Sequence, residues 1–425
     1  MPSAPGLPLV GTSLSVLAAG QKLHLYVDER HRTLGPVYRE KMGPVTAVFL
    51  SDPSSMRKIF SMEGKYPHHF VPEAWLLYNE KFQCKRGLLF MEGEEWLKYR
   101  RVMNKYLLKN DISRELNGVY MSVVEHLVER LKMNCGNVIA NLEHELYRHS
   151  VSFILATLMG SSYITEMKYL DKEIDKLATI FSTIFETSAQ VSRFPAKLTS
   201  ALSLPVWNRF VAAVDASLNS SKNMLSLMAG RCAEDGLYIK LLNEGIEEDI
   251  MRSLIVDLML AAGDTTAYAT QWALYLLGKD KEVQEKLVGD IDGSLTKGVI
   301  KETLRMYPSA IFISRILPQP TTILGFPVSA GELILLSLYT SGRSKENFPE
   351  PEKFWPERWG RTKNGFIGVN DINAYLPFAL GVRSCVGRKI AETQMSQTIF
   401  KVSMILCTNM IEKYSYFLDL QQKLL

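Results

Sequence analysis

The run Phe378-Ala-Leu-Gly-Val-Arg-Ser-Cys385-Val-Gly387 restricts the fold of this chain most, because it sets a single cysteine between two glycines just ahead of a helix. Gly381 and Gly387 allow turns and a close backbone approach that any side chain would block. Residues 388–410 then place Ile390, Met395, Ile399, Val402, Ile405 and Leu406 at helical spacing. A cysteine before a helix N-terminus, beside Arg383, sits where a thiolate is favoured over a thiol. Such a thiolate is a nucleophile or a metal ligand, and the plain competing reading is a small buried apolar residue.

The rest of the chain bears on that choice. A nucleophilic cysteine wants a histidine base, and the seven histidines, from His24 to His149, all lie far upstream of Cys385. Zinc takes several Cys or His ligands at short spacing, whereas haem iron can be held by one axial thiolate. The five cysteines (Cys84, Cys135, Cys232, Cys385, Cys407) are scattered with no C-x-x-C, which gives no disulfide framework and favours a reducing compartment. With 425 residues, 47% of them hydrophobic, the chain can bury a large core. A net charge of +4 is too small to point to nucleic acid, so no nucleic-acid partner is expected. No stretch reaches the roughly 18 apolar residues of a membrane helix. The opening Met1-Pro-Ser-Ala-Pro-Gly carries neither an Arg-rich presequence nor a secretory leader.

In chain order, Pro2, Pro5 and Pro8 make a stiff entry, and a helix is expected at 20–34. Residues 37–40 and 46–50, parted by Gly43-Pro44, read as a strand hairpin. Ser51-Asp-Pro-Ser-Ser55 offers N-cap chemistry for a short helix over 54–62. The aromatic, irregular stretch 66–90 reads either as a packed loop or as a wall of a substrate pocket. Trp96 and Arg100 share one helix face, where an indole N–H beside a guanidinium suits a carboxylate, although a buried Trp next to a solvated Arg would serve as well. Residues 115–230 are helical, with breaks near Gly160, Pro195 and Pro205. An apolar helix over Asp257–Leu277 is interrupted by Ala261-Ala-Gly-Asp264-Thr265-Thr266, and polar groups buried there need partners, such as a Thr hydroxyl bonding back to a carbonyl one turn earlier. Glu302 and Arg305, at i and i+3, precede a helix stop at Tyr307-Pro308.

The pattern F-x-x-G-x-R-x-C-x-G resembles the haem-binding loop of the cytochrome P-450 superfamily. W-x-x-x-R, A-A-G-D-T-T, E-x-x-R and Pro356-Glu-Arg358-Trp359 resemble further motifs of that superfamily in the same order. The resemblance implies a mainly α fold with a minor β region, forming a single haem-thiolate domain over 1–425. Its small N-terminal β region would span about 35–65 and its helical haem-binding body 90–410. It implies haem b with Cys385 as axial thiolate, in a loop that includes Phe378 and Gly387. Trp96, Arg100, Arg315 and Arg383 would hold the haem propionates. Asp264 and Thr265 would relay the protons that O2 cleavage consumes, with Ala262 standing where the family more often has glycine. Glu302, Arg305 and Arg358 would form a structural triad.

K-x-x-x-K-E-T-L-R and C-x-G-R-K resemble the mitochondrial class. There Lys297, Lys301, Arg388 and Lys389 would meet an acidic 2Fe-2S ferredoxin, itself served by a reductase. Tyr66-Pro-His, Arg86-Gly-Leu-x-Phe90 and Leu336-Ser-Leu-Tyr-Thr340 further resemble insect ecdysteroid 2-hydroxylases. This implies a steroid substrate hydroxylated at carbon 2, in a protein resting peripherally on the matrix side of the mitochondrial inner membrane, its presequence not present in this chain. Two departures carry expectations. The interval from Asp264 to Glu302 is shorter than the family's, and the residues from Thr408 to Leu425 lack the β-hairpin with which the family ends. The alternative is therefore a truncated homologue that binds haem but is catalytically impaired, a sensor or carrier.

Overall fold

Short runs rich in β-branched, aromatic and other apolar residues build the sheet. Val37–Met42 (β1) and Val45–Leu50 (β2) pair antiparallel with Val37 opposite Leu50. Phe312–Ile316 (β3) is followed by a small hairpin of Thr321–Ile323 (β4) and Phe326–Val328 (β5), then by Leu333–Ser337 (β6). The sheet order is β1-β2-β6-β3, with β2 and β6 parallel and β6 and β3 antiparallel. The computed structural model describes all residues except 9, 43–44, 134–140, 291, 364 and 410–425. The expected turn at Gly43-Pro44 and the expected loss of a C-terminal hairpin both lie outside the described residues.

Val48, Leu50, Ile334 and Leu336 point to one face of the sheet, where they meet Met56, Ile59 and Phe60. Tyr38, Ala47, Phe49, Leu333 and Leu335 point to the other, against Val27. Both faces are covered, which is why β6 is an unbroken apolar run. A one-residue slip would exchange the two sets, so burial on both sides pins the register.

Among the helices, in chain order, are Pro53–Ser61 (α1), Glu73–Lys81 (α2), Gly93–Asn104 (α3), Leu142–Met159 (α4), Tyr163–Val191 (α5), Glu248–Lys279 (α6), Ser294–Met306 (α7) and Arg388–Asn409 (α8). The cap predicted for α1 is present: Asp52 Oδ2 accepts the Ser55 N–H at 2.8 Å, and Pro53 occupies the first turn, where its missing N–H costs nothing. The stretch 66–90 is less irregular than its sequence suggests, because α2 lies inside it. Only Ala74 and Tyr78 of α2 are buried, so its amphipathic signal is weak.

The described residues form two compact units. One comprises Met1–Phe70 with Leu276–Cys385, and the other Val71–Tyr275 with the described residues from Val386 to Asn409. The first holds the sheet, α1 and α7. The second is helical, and within it α4 is buried at every position from Leu146 to Met159, as a helix with no solvated face must be. It stops at Gly160, where φ is +68° and a Cβ would stand 2.5 Å from the Gly236 nitrogen. Among the described residues no helix is long and apolar enough to cross a membrane.

Candidate functional site

In the first unit the cysteine loop is closed by its own backbone: the Cys385 N–H donates to the Phe378 carbonyl at 2.8 Å and the Ser384 N–H to that of Gly381. Gly381 takes φ +78°, a conformation open to glycine at little cost. The Cys385 side chain is exposed, which sets aside a buried packing role, and α8 begins three residues later with the Gly387 carbonyl accepting the Ala391 N–H.

Two predicted cations flank this loop within the same unit. Arg315, on β3 and only 4% exposed, donates from Nε to Glu63 Oε2 at 2.5 Å, and its guanidinium lies 4.9 Å from the centre of the Phe60 ring. Arg383 lies within the loop, its Nη1 3.1 Å from His69 Nδ1. Glu63 also accepts the Val382 N–H at 3.0 Å. Neither Glu63 nor His69 stood out in sequence, since each lies some 250 to 320 residues from its partners.

Glu302, Arg305 and Arg358 come together with essentially no exposure. Glu302 Oε1 takes Arg305 Nη2 and Arg358 Nε, each at 2.8 Å, and the Trp355 N–H at 3.1 Å. Its Oε2 takes Arg305 Nε and Trp359 Nε1, both at 3.0 Å. Spare guanidinium N–H groups are absorbed by the carbonyls of Gly342, Pro349 and Gly368. Trp359 is thus a fourth member of the cluster. Of the basic residues, Lys297 is exposed and Lys301 rests 5.5 Å from the ring centres of both Trp359 and Phe366.

In the second unit, α3 places Trp96 and Arg100 one turn apart, both buried. The indole packs with Met91, Tyr99, Ile250 and Leu254, and Arg100 Nε donates to Asn104 Oδ1 at 2.8 Å. On α6 the Thr265 hydroxyl bonds back to the Ala261 carbonyl at 2.9 Å, as its position predicted. Ala261 and Thr265 share an exposed side of the helix. Asp264 accepts a hydrogen bond from the Tyr147 hydroxyl on α4. Burial pushes its carboxyl up to about 6; the Tyr147 bond opposes that and the nearby Glu143 charge adds to it. Gly263 admits α5 closely, since a Cβ there would lie 2.7 Å from Phe181 Cδ2. Arg388 is exposed, while Lys389 pairs with Asp111 at 3.3 Å.

The residues of the cysteine loop fit a haem. Among the described residues no three His, Cys, Asp or Glu side chains group as a metal-ion site. One exposed sulfur at a glycine-shaped turn suits a metal whose other ligands come from its own macrocycle, and the two arginines suit its carboxylates.

Comparison with known proteins agrees. The cytochrome P450 family profile matches residues 1–406. Cytochrome P450 315a1, mitochondrial, of Drosophila melanogaster is 37% identical, with 93% of this chain and 80% of that protein covered. The mitochondrial cholesterol side-chain cleavage enzyme of Oncorhynchus mykiss is 27% identical over 91% of this chain and 79% of its own length. The mitochondrial 1,25-dihydroxyvitamin D(3) 24-hydroxylase of Rattus norvegicus is 27% identical over 93% and 81%. The fold matches that of a retinoic acid-bound cyanobacterial CYP120A1 with a TM-score of 0.76, at 20% identity and covering 95% of this chain and 91% of that one.

Proposed function

This chain belongs to the cytochrome P450 family of haem monooxygenases, which carry haem b on a cysteine thiolate. From that premise we propose that Cys385 is the ligand in a ferredoxin-dependent steroid hydroxylase acting at carbon 2 of an ecdysteroid. The observation that carries this reading is the 37% identity to the mitochondrial Drosophila cytochrome, sustained over 93% of the chain.

When bound, the haem supplies the reductive activation of O2. The protein's own groups do the rest. Arg315 and Arg383 offer N–H donors to the propionates beside the cysteine loop, a role the family resemblance also gives to Trp96 and Arg100, and Phe378 and Gly387 hold the ends of the ligand loop. Asp264, titrating at about 6, exchanges protons readily near neutral pH. Thr265, next to it on α6, passes those protons on from the exposed side of the helix. Glu302, Arg305 and Arg358 serve as scaffold.

Lys297 and Arg388 offer exposed positive charge to an acidic 2Fe-2S ferredoxin, and Lys301 and Lys389 lie beside them on α7 and α8, respectively. Exposed Phe194, Leu198 and Leu202 support peripheral contact with the matrix side of the mitochondrial inner membrane.

The test has two steps. Reduced protein treated with CO should show a thiolate-type Soret band, and its absence in folded, haem-loaded protein would remove Cys385 as ligand. Supplied with NADPH, ferredoxin and its reductase, the protein should convert a 2-deoxyecdysteroid to the 2-hydroxylated product. An intact band without product selects the impaired homologue instead. Replacing Thr265 by Ala should divert at least half of the NADPH consumed into peroxide, by order of magnitude for loss of one relay group; unchanged coupling takes Thr265 out of the relay.

A further inference from the structure

Glu63 follows α1 and is only 3% exposed, an uncommon place for a carboxylate unless it is paired. Both oxygens are used, and for different ends. Oε2 receives Arg315 Nε from β3 at 2.5 Å, while Oε1 receives the Val382 N–H at 3.0 Å, three residues before Cys385. The same Oε1 occupies the space that a Cβ at Gly381 would need, so the loop's glycine is there as much for this carboxylate as for its positive φ. The chain leaving Glu63 then runs beside β3: the His68 carbonyl accepts the Ile316 N–H at 3.0 Å, and the Phe70 N–H reaches Ser314 Oγ at 3.0 Å. Between those contacts His69 meets Arg383. The segment 63–70 is therefore anchored to the sheet edge and touches the cysteine loop twice.

We infer that Glu63 is a positioning residue for the thiolate ligand: through Val382 it sets where the loop holds Cys385, and through Arg315 it sets the direction and net charge of a cation beside that loop. A neutral acceptor could do the first task but not the second, because a buried guanidinium next to a neutral amide would keep an uncompensated charge. That difference separates the two tasks experimentally. The inference rests on Cys385 being the ligand, so the wild-type CO spectrum is recorded first and reports on that assignment alone.

With a thiolate-type band in the wild type, three variants of the full haem-loaded chain are compared. Glu63→Gln keeps an acceptor for Val382, so amide hydrogen exchange at Val382 should stay near wild type while the iron's reduction potential moves positive, one negative charge having been lost. Glu63→Leu removes the acceptor, so Val382 exchange should accelerate by about tenfold or more, the loss of one hydrogen bond's protection. Part of its CO-bound population should also lose the thiolate-type position. Should Glu63→Leu fail to fold, Glu63→Met, which also lacks a side-chain carbonyl acceptor, takes its place; the third variant, Glu63→Gln with Arg315→Gln, carries neither charge and should return the potential towards the wild-type value. A Glu63→Gln protein with the wild-type potential overturns the charge role, and wild-type Val382 exchange in Glu63→Leu overturns the loop role. Failure of the double variant to restore the potential overturns the pairing of Glu63 with Arg315 as its cause.

Discussion

Glu302 on α7 and Asp264 on α6 are carboxylates drawn into the protein interior under opposite conditions. Glu302 has no exposure and accepts from Arg305, Arg358, Trp359 and the Trp355 backbone, two of these bearing full positive charge. Asp264 accepts from a neutral phenol and lies near a second carboxylate, Glu143. Cations compensate the buried carboxylate of Glu302, whereas burial beside a neutral phenol pushes the Asp264 carboxyl up to about 6. The same residue chemistry thus meets two guanidiniums in one place and a phenol in the other, and the neighbouring groups make the difference.

That contrast can be broken most forcefully at Glu302. Glu302→Gln leaves two buried guanidiniums undercompensated and should cost about 3 to 5 kcal/mol of stability, read as a lower urea midpoint. A loss below 1 kcal/mol would mean that Arg305 and Arg358 are satisfied by their backbone carbonyls alone.

The reverse substitution test at Asp264 should have the opposite sign. Its carboxyl titrates at about 6 in the folded protein against 3.8 as the reference value, so between those pH values the folded state holds the proton that the unfolded state releases. The folded protein is therefore unpenalised below about pH 4, and the penalty grows through that window to roughly 3 kcal/mol above pH 6. Asp264→Asn should remove the penalty, giving equal stability to wild type at pH 4 and greater stability at pH 7.5. A variant less stable than wild type at pH 7.5 would contradict the assignment.

Gly263→Ala should cost about 2 kcal/mol, because the new methyl meets Phe181 and α5 must shift. Thermal unfolding measures this, and a neutral result would show that the ring turns aside freely. The smallest effect is expected for Tyr147→Phe, which removes the donor opposing the burial penalty. It should raise the Asp264 titration further, by an amount worth about 1 kcal/mol, followed by infrared absorption of the protonated carboxyl. A downward move would reverse the role given to Tyr147.

The legible features of this protein were those written in contiguous residues. Asp52-Pro53 announced α1, Gly160 the end of α4, and the glycines around Cys385 a turn ahead of α8, because caps and turns are local chemistry. The back-bond from Thr265 to Ala261 was foreseeable for the same reason, being one turn of helix. The helix α2 was missed because it buries only Ala74 and Tyr78, too few to print a period. Glu63, His69 and Tyr147 were missed for a different reason: nothing near them in the chain names the groups they touch.

The sequence by itself therefore determined the family, the cysteine loop and the residue types available for chemistry, since short spacings and glycine conformations are set by bonds along the backbone. Tertiary structure alone decided that Asp264 meets the phenol of Tyr147 and that Glu63 meets the guanidinium of Arg315. Charge compensation depends on distances of a few ångströms between groups that are 100 or more residues apart, as Tyr147 is from Asp264 and Glu63 from Arg315.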